Sequence, residues 1–284
     1  MTDAPARPRE ARVDVRGVQA RFRVSGEGTP VLLVHGIGRS LEDWTEQHAL
    51  IGPGYRVHSV DLPGFGRSEP LRDKYSLPAL ASFVEGFLDA VGVAEPVHLV
   101  GNSLGGAVVM QLSVQAPERA RSLALVNSAG FGREVALALR LLAVRPLGKL
   151  LLRPTRANVV RSERSIFHDP ALATAERVEL ALSLATQPHA SRVFLATAQA
   201  LGTFRGIRPE WCDELLAEVA RVGLPTLVVW GDKDLILPHH HLEAARRHLP
   251  HGQFHLFPDT GHMPQIERAE ELASLLTEFW TSVS

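Results

Sequence analysis

A serine between two glycines, at the junction of a buried strand and a helix, constrains this chain more than any other feature. Residues 101–105 read Gly-Asn-Ser-Leu-Gly, with Ser103 at the centre. An apolar run at 96–100 precedes them, and an apolar segment of small residues at 106–112 follows. A serine on such a turn takes a strained backbone conformation that lifts its hydroxyl above the sheet, and the flanking glycines prevent clashes. The spacing predicts a nucleophilic serine, whereas an incidental serine in a glycine-rich turn is the alternative.

Short apolar runs separated by helical patterns recur along the chain. Strand-like runs lie at 12–15, 18–24, 30–34, 55–60, 96–100, 123–126, 226–230 and 253–257. Helical patterns lie at 77–91, 104–116, 239–248 and 265–280. Because buried strands that alternate with helices form parallel sheets covered on both faces, we predict the α/β class, with a doubly wound and mostly parallel sheet. The first two runs alternate in polarity and predict an antiparallel edge hairpin.

The alternation is interrupted between residues 127 and 224, where no strand-like apolar run appears. Amphipathic helical patterns occupy 134–152, 171–186, 190–202 and 210–221. Because a connection of this length is rarely without structure, we predict a helical cap over residues 131–222. It is inserted into an α/β core formed by residues 11–130 and 223–284, and residues 1–10 are predicted to be a disordered leader.

Composition excludes several classes of protein. With 284 residues and a formal net charge of −1, the chain can bury a large core and lacks the basic excess of a nucleic-acid-binding protein. No apolar stretch approaches the ~18 residues of a membrane helix, and the first ten residues lack the apolar segment of a signal peptide. The single cysteine, Cys212, cannot form an intrachain disulfide. We expect a cytoplasmic protein without a membrane span or a nucleic-acid partner, and the sequence leaves open whether it is a homo-oligomer.

Positive charge is concentrated in the predicted cap. Residues 133–208 carry twelve basic and five acidic side chains. This excess is typical of a solvated, arginine-rich surface on amphipathic helices. The alternative is a cap that attracts an anionic substrate or an anionic membrane surface.

A nucleophilic serine needs a base, and the base needs an acid that orients it. His262 follows the last predicted strand, so it lies on a loop at the carboxyl edge of the sheet, where Ser103 also lies. The loop after the preceding strand carries Asp232 and Asp234. We predict Asp234 as the orienting acid, because the turn through Gly231 leaves the later residue better placed to face the sheet. Asp232 is the alternative, although it is better suited to cap the turn.

The negative charge that develops on the substrate oxygen needs two backbone N–H groups. One is predicted to come from Leu104, directly after the serine. The second is expected from residues 35–38, which read His-Gly-Ile-Gly after a strand, and we assign it to the Ile37 amide. His35 is predicted to be structural and to form hydrogen bonds with nearby backbone.

From about residue 12 onwards the chain resembles the α/β-hydrolase family, in the form that carries a cap domain. The resemblance rests on the serine motif, His35-Gly36, residues 61–68, residues 230–234 and Gly261-His262. It implies an α/β-hydrolase fold and a structural role for Asp61. Dehalogenases and epoxide hydrolases of this family use an aspartate nucleophile, and epoxide hydrolases place tyrosines in the cap. This chain has Ser103, and its tyrosines, Tyr55 and Tyr75, precede the cap.

Ester hydrolysis and carbon–carbon bond hydrolysis are the main activities left. Asn102 beside the serine and the arginine-rich cap resemble the meta-cleavage-product hydrolases, which cleave vinylogous diketones that carry a carboxylate. That resemblance implies a carboxylate-binding arginine, for which Arg177 and Arg192 are the candidates. Against it, the loop at 35–40 has fewer glycines than is usual in those enzymes, and Met263 stands where they tend to have tryptophan.

We predict a serine hydrolase that cleaves a small, largely apolar carboxylic ester through an acyl-enzyme intermediate. Apolar cap helices are expected to line the pocket, with Asn102, Trp44 and Met263 as substrate-binding residues, each with a structural role as its alternative. No metal or organic cofactor is expected, since the three histidines at 239–241 start a helix and should point in different directions. An acyltransferase or a cofactor-free perhydrolase on the same triad is one alternative, and a catalytically silent ligand-binding protein is another.

Overall fold

A computed structural model describes residues 8–144, 148 and 151–283, and within them eight strands form one sheet. These strands are β1 (Arg9–Val15), β2 (Val18–Ser25), β3 (Gly28–Val34), β4 (Gly54–Val60), β5 (Val97–Asn102), β6 (Ala120–Val126), β9 (Thr226–Gly231) and β10 (Gln253–Phe257). A separate two-residue hairpin consists of β7 (Gly202–Thr203) and β8 (Gly206–Ile207). The strand order in the sheet is β1-β2-β4-β3-β5-β6-β9-β10. In this order, each strand from β4 through β3, β5, β6 and β9 to β10 pairs in parallel with the next. At the other edge β2 pairs antiparallel with β4, and β1 pairs antiparallel with β2. The predicted fold class is confirmed.

The first strand begins earlier than predicted. Glu10 lies in β1 and pairs with Arg21 and Arg23, both on β2. Residues 9 and 10 therefore belong to the sheet rather than to a disordered leader, because two arginines on the neighbouring strand bind a carboxylate there. Pro8 is exposed and lies in neither a helix nor a strand, and residues 1–7 of the predicted leader lie outside the described residues.

The α-helices with both ends in the described residues are α1 (Thr45–Leu50), α2 (Leu77–Ala90), α3 (Leu104–Gln115), α4 (Leu137–Leu142), α5 (Arg156–Ser165), α6 (Ala175–Ala185), α7 (Ala190–Leu201), α8 (Pro209–Val222), α9 (His241–His248), α10 (Pro264–Glu267) and α11 (Ala269–Ser282). They cover both faces of the sheet, and each face has its own apolar core. On β3, Leu32 packs with the α2 and α3 side chains, whereas Val31 and Leu33 pack with those of α11. This alternation follows from the two-residue period of a strand.

The long insertion contains one helix that the sequence pattern missed. Helix α5 reads Arg-Ala-Asn-Val-Val-Arg-Ser-Glu-Arg-Ser, so it has only a narrow apolar stripe. Thr155 caps it by accepting a hydrogen bond from the Asn158 N–H (3.3 Å). Part of the predicted 134–152 helix lies outside the described residues, and α4 covers only Leu137–Leu142 of it.

The last helix of the predicted cap packs on the core. Cys212, Leu215, Leu216 and Val219 of α8 are buried in the same apolar cluster as α2 and α3, and α8 contacts α3 directly. We therefore place Pro209–Val222 with the helical layer over the sheet, which corrects the predicted cap boundary at residue 222. None of the described helices is both long enough and apolar enough to span a bilayer.

Candidate active site

The turn between β5 and α3 holds Ser103 in a conformation that few residues adopt. Its φ is 55° and its ψ is −117°. A Cβ on Gly101 would overlap the Gly105 carbonyl, and a Cβ on Gly105 would overlap the Val34 carbonyl. Both glycines are therefore needed for β5, β3 and α3 to meet, as the sequence motif predicts.

His262 and Asp234 meet on the loops that follow β10 and β9. The His262 Nδ1–H donates to Asp234 Oδ2 over 2.8 Å, and both side chains are buried. The other carboxylate oxygen, Oδ1, accepts the N–H groups of Ile236 (2.7 Å) and Leu237 (3.0 Å). Asp232 instead accepts the Thr260 N–H (3.3 Å), so Asp234 is the aspartate that contacts the imidazole.

Ser103 and His262 line the same cavity. Within the described residues no hydrogen bond joins the Ser103 hydroxyl to the imidazole. Such contacts are often long in the absence of substrate and shorten when it binds. The His262 Nδ1 is committed to Asp234, which leaves Nε2 as the ring nitrogen available for proton transfer.

Asn127 belongs to the same cluster of buried polar residues, and the sequence pattern does not predict it. Its Nδ2 donates to Asp234 Oδ2 (2.7 Å) and to the carbonyl of Gly261 (3.2 Å), next to His262. Asn127 is fully buried, at the end of β6, with a φ of 44°, which asparagine tolerates better than most residues. An asparagine after a strand carries no carboxylate or imidazole that would suggest a site, yet its amide here binds the carboxylate that contacts His262.

Asn102 connects the serine turn to the histidine loop. Its Nδ2 donates to the carbonyls of Val126 (3.1 Å) and His262 (3.1 Å). Asn102 also lines the cavity, and its Oδ1 accepts no hydrogen bond within the described residues. The amide donors are thus already used and the oxygen is buried, so in this structure Asn102 joins two loops, and its contact with substrate stays a prediction.

The loop after β3 lies directly over the serine. A Cβ on Gly36 would be 3.2 Å from the Ser103 Cβ. Among the described residues, neither the Ile37 N–H nor the Leu104 N–H has an acceptor, and both residues belong to elements that border Ser103. Two free amides beside a serine hydroxyl are the arrangement that an oxyanion needs.

His35 fixes that loop. Its Nε2 accepts the Leu62 N–H (2.9 Å), so its Nδ1–H donates to the Gly36 carbonyl (2.7 Å). Burial lowers the pKa of His35 to about 4, so the ring is neutral at neutral pH. Asp61 is also structural, because it accepts the N–H groups of Leu41 and Arg67 (both 2.8 Å).

A cavity of about 610 Å³ opens from the serine towards the cap. Its apolar walls include Ile37, Leu142, Leu184, Phe194, Ile236 and Met263. The prediction that Trp44 lines the pocket is wrong. Trp44 is fully buried in the core beneath α11 with Val31 and Leu33, because its 3₁₀ turn faces the sheet rather than the cavity.

The arginine nearest the inner cavity is already neutralised. Arg39 binds Asp43 through two hydrogen bonds (2.7 and 2.9 Å) and also binds Glu163 of α5. Burial opposes its charge, but the two carboxylates raise the pKa of Arg39 well above its ordinary value. Arg177, proposed from sequence, binds Glu46 (2.8 Å), and neither it nor Arg192 lines the cavity.

Cap and core also meet at the histidine loop. The His262 N–H donates to the carbonyl of Ile166 (2.8 Å), just after α5. Glu267 accepts the N–H groups of Gly261 (2.9 Å) and His168 (2.7 Å), so one carboxylate binds both sides. The cap segment therefore supports the backbone that carries the imidazole.

Comparison with known proteins places this geometry in a family. A family model described as alpha/beta hydrolase fold matches residues 29–269. The chain is 34% identical over 264 residues to a dihydrolipoyllysine-residue acetyltransferase component of the acetoin cleaving system from Cupriavidus necator, covering 93% of this chain and 67% of that protein. It is 30% identical over 270 residues to a 2-hydroxy-6-oxononadienedioate/2-hydroxy-6-oxononatrienedioate hydrolase from Comamonas testosteroni, covering 92% of each chain. Among solved structures, a meta-cleavage product hydrolase from Pseudomonas fluorescens IP01 has a TM-score of 0.82 at 25% identity, covering 96% of this chain and 98% of that one. With its serine turn, its histidine–aspartate pair and a match over most of its length, this chain belongs to the alpha/beta hydrolase family of enzymes.

Proposed function

We propose that this hydrolase cleaves a small, largely apolar carboxylic ester. The observation that carries the proposal is the largely apolar wall of the cavity beside Ser103. Among the described arginines that line it, only Arg39 is not exposed, and Arg39 is bound by two carboxylates. Such a cavity favours a neutral acyl group, since a substrate carboxylate there would meet apolar side chains and a cation already paired.

In the proposed mechanism Ser103 attacks the ester carbonyl while His262 takes its proton at Nε2. Asp234 holds the imidazole in the required tautomer and stabilises its charged form. The Ile37 and Leu104 amides bind the oxyanion of the tetrahedral intermediate. His262 then protonates the leaving alkoxide, and a water activated by the same ring releases the acid from Ser103.

Carbon–carbon bond hydrolysis is the second candidate. It is supported by the likeness to the nonadienedioate hydrolase and the meta-cleavage product hydrolase, and by Asn102 beside the serine. A dienoate carboxylate would need a cation, and the further arginines that border the cavity, Arg153 and Arg161, are exposed at its outer part. The substrate would then lie with its carboxylate towards the mouth.

A panel of substrates separates the two reactions. The purified enzyme would be assayed with p-nitrophenyl esters of rising acyl length and with a ring-fission dienoate, and Ser103→Ala would supply the background rate. We expect ester hydrolysis with a kcat/KM at least ~100-fold above that for the dienoate. Turnover of the dienoate without the esters would overturn the proposal in favour of the second candidate.

Acyl transfer on the same residues is tested in the same assay. The acetyltransferase component from Cupriavidus necator is similar to this chain in sequence, which supports keeping this alternative. Adding a competing alcohol or hydrogen peroxide leaves the acid as the main product of a hydrolase. A product that is mostly the new ester or the peracid would instead indicate a transferase or a perhydrolase.

A further inference from the structure

Two consecutive histidines, His240 and His241, lie close to the carboxylate of Glu134, in the segment between β6 and α4. The Nε2 of His241 lies 3.1 Å from Glu134 Oε2, and the Nε2 of His240 lies 3.9 Å from the same oxygen. The sequence-based expectation that the histidines at 239–241 point in different directions is therefore wrong for two of the three. The start of α9 turns both rings towards Glu134, which a different part of the chain supplies.

Space for this cluster is built into the backbone. A Cβ on Gly132 would overlap the His241 Nε2, so the absence of a side chain there lets the imidazole face Glu134. The ring of Trp230 packs edge-on against His241, with centroids 5.9 Å apart. His241 is 98% buried, whereas Glu134 and His240 are exposed and free to adjust.

We propose that Glu134, His240 and His241 form a binding site for a divalent transition-metal ion, for which Zn²⁺ has the right chemistry. Two imidazole nitrogens and a carboxylate oxygen are ligands that zinc prefers, and a water would complete a tetrahedron. Zinc–ligand bonds of about 2.0–2.1 Å place neighbouring ligand atoms about 3.3 Å apart. The three ligand atoms here lie within 4.8 Å of one another, so small rotations of the two exposed side chains bring them to that spacing.

Metal binding needs the lone pair of His241 Nε2. The ring proton must then reside on Nδ1, which makes no hydrogen bond within the described residues. His240 is exposed and binds through its own Nε2. No oxidant or further reactant is involved.

The ion would join two segments that border the proposed active site. Glu134 lies between β6 and the cap helix α4, and the histidines start α9, shortly after Asp234. The Ala136 N–H already donates to the carbonyl of Ile236 (2.8 Å) between the same segments. A metal ion that binds only the folded chain stabilises the folded chain. The ion would therefore hold the segment before α4 against the segment between Asp234 and α9.

The test uses untagged, chelator-treated protein that comprises all 284 residues. Zn²⁺ binding would be measured by calorimetry, Co²⁺ binding by its visible absorption, and unfolding by thermal melts with and without Zn²⁺. The variants are Glu134→Gln and His240→Ala, both at exposed positions. His239→Ala is the matched control, because this neighbouring histidine is exposed and lies outside the cluster.

We expect one ion per chain, a higher melting temperature with Zn²⁺, and binding at least ~10-fold weaker in both variants but unchanged in the control. The absence of binding at ~100 μM Zn²⁺ would overturn the proposal. So would affinity that is unaffected by Glu134→Gln and His240→Ala, as expected if the ion sits at another histidine such as His262.

Discussion

The rim of the sheet and the cap side of the cavity are built by different kinds of interaction. At the rim, the buried side chains of Asn127, Asp234 and His262 are joined by hydrogen bonds between specific polar atoms. On the cap side, the cavity wall consists largely of apolar side chains such as Leu184 and Phe194. Directional bonds allow little variation in position, whereas an apolar wall tolerates exchange of one side chain for another. Substitutions at the rim should therefore change the rate of the reaction, whereas substitutions on the cap side should change which substrates are preferred.

The largest effect is expected at the rim, from Ser103→Ala. If Ser103 is the nucleophile, kcat should fall by about 10⁴-fold or more, as in other triad knockouts. The melting temperature should hardly change, because the side chain makes no hydrogen bond within the described residues. Steady-state ester hydrolysis and a thermal melt measure the two quantities. Nearly unchanged turnover would contradict the assignment of Ser103.

Asn127→Gly should have the next largest effect. Glycine accepts the positive φ but removes the amide that binds Asp234 Oδ2 and the Gly261 carbonyl. We expect kcat to fall by about 10²-fold with little change in KM, because the imidazole loses its defined position. A variant that unfolds would show a lower melting temperature. An intact fold with wild-type kcat would show that Asn127 has no part in positioning the base.

On the cap side, Phe194→Ala should change selectivity rather than chemistry. The Phe194 ring packs against the loop over Ser103, since a Cβ on Gly38 would be 2.8 Å from it. Its removal should shift the preference among p-nitrophenyl esters towards longer acyl chains by about 10-fold in relative kcat/KM. Phe204→Ala is the matched control, because Phe204 is half-exposed and lies outside the cavity. An equal loss for every ester would instead place Phe194 with the rim.

A separate effect, on the stability of the fold rather than on turnover or selectivity, is expected from buried histidines in and beside the sheet. Burial lowers the pKa of four of them, to about 3 for His48 and to about 4 for His35, His58 and His98. Between pH 6.5 and about 4 the unfolded chain binds more protons than the folded chain, so the free energy of unfolding should fall as the pH is lowered through this range. One histidine whose pKa drops from 6.5 to about 4 accounts for about 3 kcal/mol.

Urea unfolding at several pH values measures this slope. His58→Leu provides the comparison, since both ring nitrogens of His58 are buried without partners among the described residues. The variant should show a shallower slope with pH. An identical slope would mean that the pKa of His58 is the same in the folded and the unfolded chain, so that His58 contributes nothing to the pH dependence of stability.

Local patterns were sufficient for much of the fold. The period of apolar residues located the strands of the sheet, and a predicted strand at 226–230 is β9 at Thr226–Gly231. The glycines on either side of Ser103 predicted the tight turn between β5 and α3, because side chains at those two positions would clash with neighbouring backbone. The apolar pattern does not predict helix α5, because an arginine-rich helix with a narrow apolar stripe resembles a loop in sequence.

Contacts between distant parts of the chain could not be read in this way. Asn127 meets Asp234 across 107 residues, Arg39 meets Glu163 across 124, and Glu134 meets His241 across 107. A tryptophan such as Trp44 is as typical of a pocket wall as of a core, and only the packing of its turn against the sheet makes it a core residue. Periodicity reports which face of an element is apolar, since that is a property of neighbouring residues. Which buried polar atoms pair, and which apolar face borders a cavity, depends on how the layers pack and is decided only when the whole chain has folded.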